Sequence, residues 1–496
     1  MNEKDNEANS VLVSSTEEKP YNSTTEPIER PLLQINWKQA WPQIAASSIA
    51  LSTVIQSGVQ MAYSAILLPQ LNEDDNIKID INAASWLASC LSLALPLASF
   101  ATGPLVDKFG RKNICIFSCI PFLISYLSFY YAQSLLLIFI GRILSGFAGG
   151  FTTAALIYAS EVSTTELRPI ILCFNSIAVA LGILITCVLS LWFNWRSIAA
   201  ICGIITIITI LLLFMIPESP QWCAVFKKDQ RAILKVSEWF YPDPILYNRE
   251  TKALLRKLND IQESSSQAIS FRTKFKNLIE DYKDPIVYKP FIILATIFLL
   301  QQLTGCYVII FYAVDIFNSI GGHLGVYADA YVSLVLLGSI RFIIAVIVAI
   351  VSKRIGRRQL LIVSSTGMGL STLCIVISMI LHPDTQKEQN GNPFILICVL
   401  AYVSFSAFGL LVIPWSLIGE LLPVKVRGKL GGLMISIAYI CMFIALKLWP
   451  IYFDQFGALI MFTFLTVICF TMSTYVYIKL PETLGKSFEE IEGCFK

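Results

Sequence analysis

The sequence predicts an all-α integral membrane protein with twelve transmembrane helices in two pseudo-symmetric six-helix bundles. Three observations predict it. Of 496 residues, 55% are hydrophobic and 14% charged, against roughly 25% charge in soluble domains. The apolar residues lie in blocks close to the ~20 residues that a spanning helix needs. The same short charged phrases also occur once in each half. Gly103-Pro-Leu-Val-Asp107-Lys108-Phe-Gly110-Arg111-Lys112 is answered by Lys353-Arg354-Ile-Gly356-Arg357-Arg358. Glu161 precedes Arg168 by seven residues, as Glu420 precedes Arg427, and Pro217-Glu218-Ser219 is matched by Pro481-Glu482-Thr483. Three pairs in one order indicate a duplicated membrane unit.

Taken in chain order, residues 1–43 form a polar leader rich in Glu, Asp, Ser and Thr. It is expected to be a disordered cytoplasmic tail, not a signal peptide, which would turn apolar almost at once. The sequon at Asn22-Ser-Thr is then on the wrong side for use. Apolar blocks near 44–70, 84–105, 114–132, 135–159, 171–191 and 197–216 make the first bundle, 44–216. Blocks near 290–318, 326–351, 360–381, 394–419, 430–453 and 457–478 make the second, 290–480. Helix is required, because only helices and closed barrels satisfy the backbone in lipid, and barrel strands would alternate apolar and polar residues. Between the bundles, 217–289 mixes both charges and holds helical patches at Arg231–Phe240 and Arg249–Ile261, as a cytoplasmic helical linker would. A short cytoplasmic tail, 481–496, follows. Lysine and arginine orient the chain. They crowd the loops after the second, eighth and tenth blocks, whereas the first loop reads Glu73-Asp74-Asp75. Both termini are therefore expected inside.

Several function classes are excluded. A net charge of +3 is too small to argue for nucleic acid. Thirteen cysteines and two histidines form no CxxC or metal-ligand spacing, so no disulfide framework, metal or cofactor is expected, and the cysteines read as packing residues. No nucleophile–base constellation and no Walker phrase occurs, so no catalytic residue is assigned and the chain is not read as an enzyme. Two similar halves around a midplane site are instead the usual plan of alternating-access carriers.

The charged loop phrases, Pro217-Glu218-Ser219-Pro220-Gln221-Trp222, Gln301-Gln302-Leu303-Thr304-Gly305 and Pro481-Glu482-Thr483-Leu484-Gly485-Lys486 together resemble the sugar porter family of the major facilitator superfamily, over about Ile44 to Ile491. Ala84-Ser85-Trp86-Leu87-Ala88-Ser89 and the stretch Pro414–Pro423 are most similar to insect facilitated trehalose transporters. The resemblance implies a carrier of a hexose or trehalose in the plasma membrane, and a monomer should suffice.

Asp107, Arg111, Glu161 and Arg168 lie at cytoplasmic helix ends, and Arg354, Arg357, Glu420 and Arg427 at the corresponding ends of the second half. They are expected to form an inner latch of salt bridges, because carboxylates recur at matched spacing while topology needs only cations. Lys353 stands where the family has an acidic residue, so the second cluster should pair differently.

By the same resemblance Gln301 and Gln302 bind sugar hydroxyls, which a carboxamide can both accept from and donate to. Gln301, Gly305, Val308 and Tyr312 would share one helical stripe. Trp415 would stack on a sugar ring. Gly and Pro residues that the family often has before Pro414 are missing, which would make that helix harder to break. Ser176, Tyr307 and Tyr439 replace family residues at contact positions, and Arg341 stands where an uncharged amide is common. Each remains open to a packing or interhelical role. An arginine at that depth is costly unless it faces a cavity or a partner. Lys447 reads as snorkelling.

Proton-driven relatives carry an Asp on the first helix. Here the aligned residue is Ala62, and Ile44–Leu71 holds no charge. A uniporter is expected. A proton-coupled porter and a non-transporting sugar sensor are the alternatives, the latter disfavoured by the short C-terminal end.

Overall fold

The computed structural model describes residues 37–73, 77, 79–164, 167–264, 285–320, 330–351, 354–381, 393–423, 427–484, 486 and 488–495. The first helix, α1 (Trp37–Asn72), already begins within the stretch expected to be a tail. The rest of that stretch lies outside the described residues. The first half continues with α2 (Ile81–Phe109), α3 (Arg111–Tyr130), α4 (Leu135–Phe151), α5 (Thr153–Val162), α6 (Arg168–Leu189) and α7 (Trp195–Met215). Helices α4 and α5 form one crossing. The short α8 (Pro220–Trp222) and the amphipathic α9 (Gln230–Phe240) and α10 (Pro244–Ser264) follow. Cys223, Ala224, Ile233, Leu254 and Leu258 make a small core between them.

The second half comprises α11 (Pro285–Leu303), α12 (Val308–Phe311), α13 (Ala313–Ile320), α14 (Ala330–Val351), α15 (Arg357–Leu381), α16 (Pro393–Phe405), α17 (Ile413–Leu421) and α18 (Arg427–Lys479), with α19 (Phe488–Gly493) after it. No strand occurs among the described residues. Helix α18 has 53 residues. At 1.5 Å per residue a straight helix of that length would run about 80 Å, far beyond a hydrocarbon core of about 30 Å. It is broken at Gly457, whose φ of 73° and ψ of 170° leave the helical region. Two crossings therefore meet there, which makes twelve among the described residues.

Packing repeats between the halves. Helix α1 packs on α6, and α11 on α18; α2 on α4, and α14 on α16; α3 on α4 and α7, and α15 on α16 and α18. The halves meet along two corresponding seams, α2 with α18 and α6 with α14, while α12 and α13 reach α1. The edge carrying α8–α10 is called the linker edge below, and the opposite one the far edge.

At the far edge Lys447 does more than snorkel. Its ammonium donates to Ser85 Oγ at 2.6 Å and lies 4.4 Å from the Trp86 ring centre, bridging α18 to α2. Beside it a cavity of about 440 Å³ opens, lined among others by Asp80, Tyr312, Asp315, Trp449 and Asp454.

Candidate functional site

The seventh crossing is interrupted where the paired glutamines stand. Helix α11 ends at Leu303, the chain turns through residues 304–307, and helix resumes at Val308. Gly305 makes the turn with φ of +80°, a conformation that costs an L side chain roughly 1–2 kcal/mol. The stripe expected from Gln301 through Tyr312 is therefore not continuous. The freed backbone finds partners. Gln301 O accepts from the Thr304 hydroxyl at 2.7 Å, and Thr304 O accepts from Tyr402 Oη at 2.6 Å.

The tenth crossing breaks as well, despite the missing Gly and Pro. Helix α16 gives way to a π-turn at Ser406–Leu410 before α17 starts at Ile413. Pro414 explains it. Having no N–H, it cannot bond the carbonyl four residues back, that of Leu410. Gln301 Nε2 donates to that carbonyl at 2.6 Å, and Leu410 N donates to Ser364 Oγ at 3.0 Å. The two breaks thus face and satisfy each other.

Around them the structure gathers six of the seven expected contact residues. Gln301 is fully buried and Gln302 nearly so. Gln302 Nε2 lies 3.5 Å from Gln301 Oε1, and its own Oε1 has no hydrogen-bond partner. The Trp415 ring meets Phe298 edge-on at 5.1 Å and Tyr439 at 5.4 Å, and Tyr307 is buried in the turn between α11 and α12. Arg341, at the middle of α14, is buried beside Tyr307, Cys306 and Cys187. Ser176 sits half-buried on α6 in the other half.

At the linker edge the duplicated phrases fold into duplicated clusters. Arg111 Nη2 and Nε hold Glu161 at 2.8 and 2.9 Å, and Nη1 lies 3.5 Å from Asp107. Glu218 caps α3, accepting from the backbone N–H of Arg111 and Lys112, both at 3.0 Å, where helix N–H groups lack partners. Ser219 Oγ donates to Glu161. In the second half Arg357 Nε donates to Glu420 at 3.2 Å, and Glu482 caps α15 through Arg357 N at 2.8 Å and Arg358 N at 3.2 Å. Thr483 Oγ1 donates to Glu420 at 2.5 Å. Burial pushes the Glu218 carboxyl above the usual range, against the pull of the Lys112, Ser219 and Arg111 N–H groups.

These contacts join residues of one half only. Arg168 turns to the Ser163 carbonyl at 3.4 Å, and Arg354 is exposed in neither cluster. Lys353 and the Arg427 side chain lie outside the described residues.

The family model described as "Sugar (and other) transporter" matches residues 45–495. The chain belongs to that family. It is 28% identical to the facilitated trehalose transporter Tret1 of Drosophila willistoni over 95% of its own length and 52% of the relative's. For Tret1 of Culex quinquefasciatus the values are 27%, 95% and 88%. The chain thus spans about half the length of the first Drosophila relatives it matches. Its fold is that of the major facilitator superfamily. The proton:xylose symporter XylE bound to 6-bromo-6-deoxy-D-glucose superposes with a TM-score of 0.71 at 17% identity, over 93% of this chain and 100% of that one. An inward-open XylE from E. coli gives 0.68 at 16%, over 92% and 98%.

Three groups in this family member escaped the reading of the sequence. Glu218 and Glu482 recur in the same order as the Gly-Arg phrases whose helices they cap, and that shared recurrence is the signal of a cap. Ser219 and Thr483 are the hydroxyls that tie those caps to Glu161 and Glu420. Arg142, fully buried on α4, donates to Leu87 O at 3.0 Å, Gln60 O at 3.0 Å and Ser64 Oγ. A lone charge in an apolar block was its signal.

Proposed function

We propose that the protein carries a sugar, a hexose or the trehalose named for its relatives, across the plasma membrane by alternating access and without an ion gradient. The observation that carries this reading is the pair of facing helix breaks at Gly305 and Pro414. They put Gln301, Gln302, Tyr307 and Trp415 together at membrane depth, with an amide oxygen left without a partner. Broken helices at the midplane are where such carriers hold their cargo. An amide beside an aromatic ring matches the hydroxyls and the apolar face of a sugar.

Uncoupled movement is supported by α1, where Ala62 is buried and Ile44–Leu71 carries no charge. With cation-rich loops inside, the linker edge is cytoplasmic, as are both termini. The two linker-edge clusters then stiffen each half at its inner end. They govern closure there while the halves rock about the α2–α18 and α6–α14 seams. A monomer is sufficient for this cycle.

The test is uptake of labelled trehalose and glucose into proteoliposomes of the full chain, with and without an imposed pH gradient. Saturable uptake that ignores the gradient and is lost in Gln302→Ala supports the reading. Uptake that stops without the gradient supports the proton-coupled alternative. No uptake of either sugar by folded protein defeats the proposal.

A further inference from the structure

Two arginines lie deep in the membrane, and their surroundings differ. The Arg142 guanidinium is met by two main-chain carbonyls and a hydroxyl, so its charge is dispersed inside the first half. Arg341 is 6% exposed, and its Nη1 has no hydrogen-bond partner. The groups acting on it electrostatically are Tyr307, Cys306 and Cys187, and no carboxylate is among them. Burying a guanidinium this way is costly unless an anion neutralises it.

Its position says where the anion would come from. The groups beside it, Tyr307 and Cys306, belong to the turn 304–307 that follows Gln301 and Gln302. Gln302 Oε1 is a buried acceptor without a donor, and Arg341 Nη1 is a buried cationic donor without an acceptor. One ligand supplies both if it carries a hydroxyl and an acid group. A planar guanidinium matches a carboxylate fork. A single arginine balances one negative charge, which favours a carboxylate over a phosphate dianion.

We infer that the site built on Gln301, Gln302 and Trp415 takes a sugar acid, its carboxylate on Arg341 and a hydroxyl on Gln302, in preference to the neutral sugar. This rests on the sugar-carrier reading and names the charge of its cargo.

The experiment is binding and uptake of D-glucuronate, D-glucose and glucose 6-phosphate by the purified full chain, in wild type, Arg341→Gln and Arg341→Lys. Wild type should bind glucuronate more tightly than glucose, and Arg341→Gln should weaken glucuronate about 10- to 100-fold, the range of a lost charge-assisted bond, and so remove that preference over glucose. Arg341→Lys should fall between. Glucuronate entry should quicken under an inside-positive diffusion potential and glucose entry should not, a readout that needs no variant to fold. Glucose binding as well as glucuronate, an unchanged glucuronate affinity in Arg341→Gln, or tighter binding of glucose 6-phosphate would each overturn the inference and leave the sugar-carrier reading standing. Failure of all three ligands to bind would overturn both.

Discussion

Gly110 and Glu218 cannot both keep their places if the glycine gains a side chain. A Cβ on Gly110 would fall 2.3 Å from Glu218 Oε2, and one on Gly356 would fall 2.1 Å from Glu482 Oε2. Each cap therefore needs a bare backbone at the start of the helix it closes. Gly110 also sits at φ of +98°.

Gly110→Ala should cost about 2–3 kcal/mol, combining left-handed strain with displacement of the carboxylate. Gly356→Ala should cost less, since it meets the clash without that strain. Apparent melting temperatures in detergent should rank wild type, Gly356→Ala and Gly110→Ala in descending order. Gly103→Ala, whose Cβ meets nothing within 4 Å, should match wild type.

The two ion pairs are unequal. The Arg111 and Glu161 side chains are 8% and 14% exposed, whereas those of Arg357 and Glu420 are 19% and 28%. Glu161→Gln strands a buried guanidinium and should cost about 3 kcal/mol. Glu420→Gln, nearer to solvent, should cost about 1 kcal/mol. Thermal unfolding of the two variants side by side checks the order, and equal losses would contradict it.

Trp415→Leu and Tyr439→Leu remove the two rings of one aromatic pair, whose centres lie 5.4 Å apart. Each should weaken binding of labelled sugar, and the double variant should lose less than the sum, with a coupling of about 1 kcal/mol. Strict additivity would mean that the ring pair does not shape the site.

Lys447→Met deletes the bridge from α18 to Ser85 and Trp86. With the far edge less firmly held, Ala84→Cys, which lines the cavity there, should react faster with a membrane-impermeant thiol reagent than in the Lys447 background. An unchanged rate would place the closure of that edge elsewhere.

Helix positions were readable because lipid forces continuous apolar blocks, and the order of the repeated phrases showed the duplication. The helix breaks were harder to read. Apolar periodicity runs straight through Gly305, and only the backbone conformation reveals the interruption. At the tenth crossing, looking for the missing Gly and Pro pointed away from a break that Pro414 alone produces by leaving Leu410 O to Gln301. Charge clusters at the linker edge followed from the repeated phrases, although the matched spacing joined Glu161 to Arg168 and Glu420 to Arg427, while the glutamates meet Arg111 and Arg357. The confinement of each cluster to one half did not follow, since spacing along the chain says nothing about which neighbour an arginine turns towards. Lys447 read as snorkelling for a similar reason, because its partner Ser85 stands in the other half.

The seams between the halves are related as the two contacts of an isologous dimer are: the surface that α2 offers to α18 is the counterpart of the one that α14 offers to α6. The molecule is in this sense a two-fold homodimer whose protomers a peptide link has made one. Such an interface carries its own instructions for assembly, and the covalent connection mainly raises the local concentration of each partner. Residues 1–264, which keep the Glu218 cap, and 285–496 made as separate chains in one membrane should therefore find each other and restore uptake.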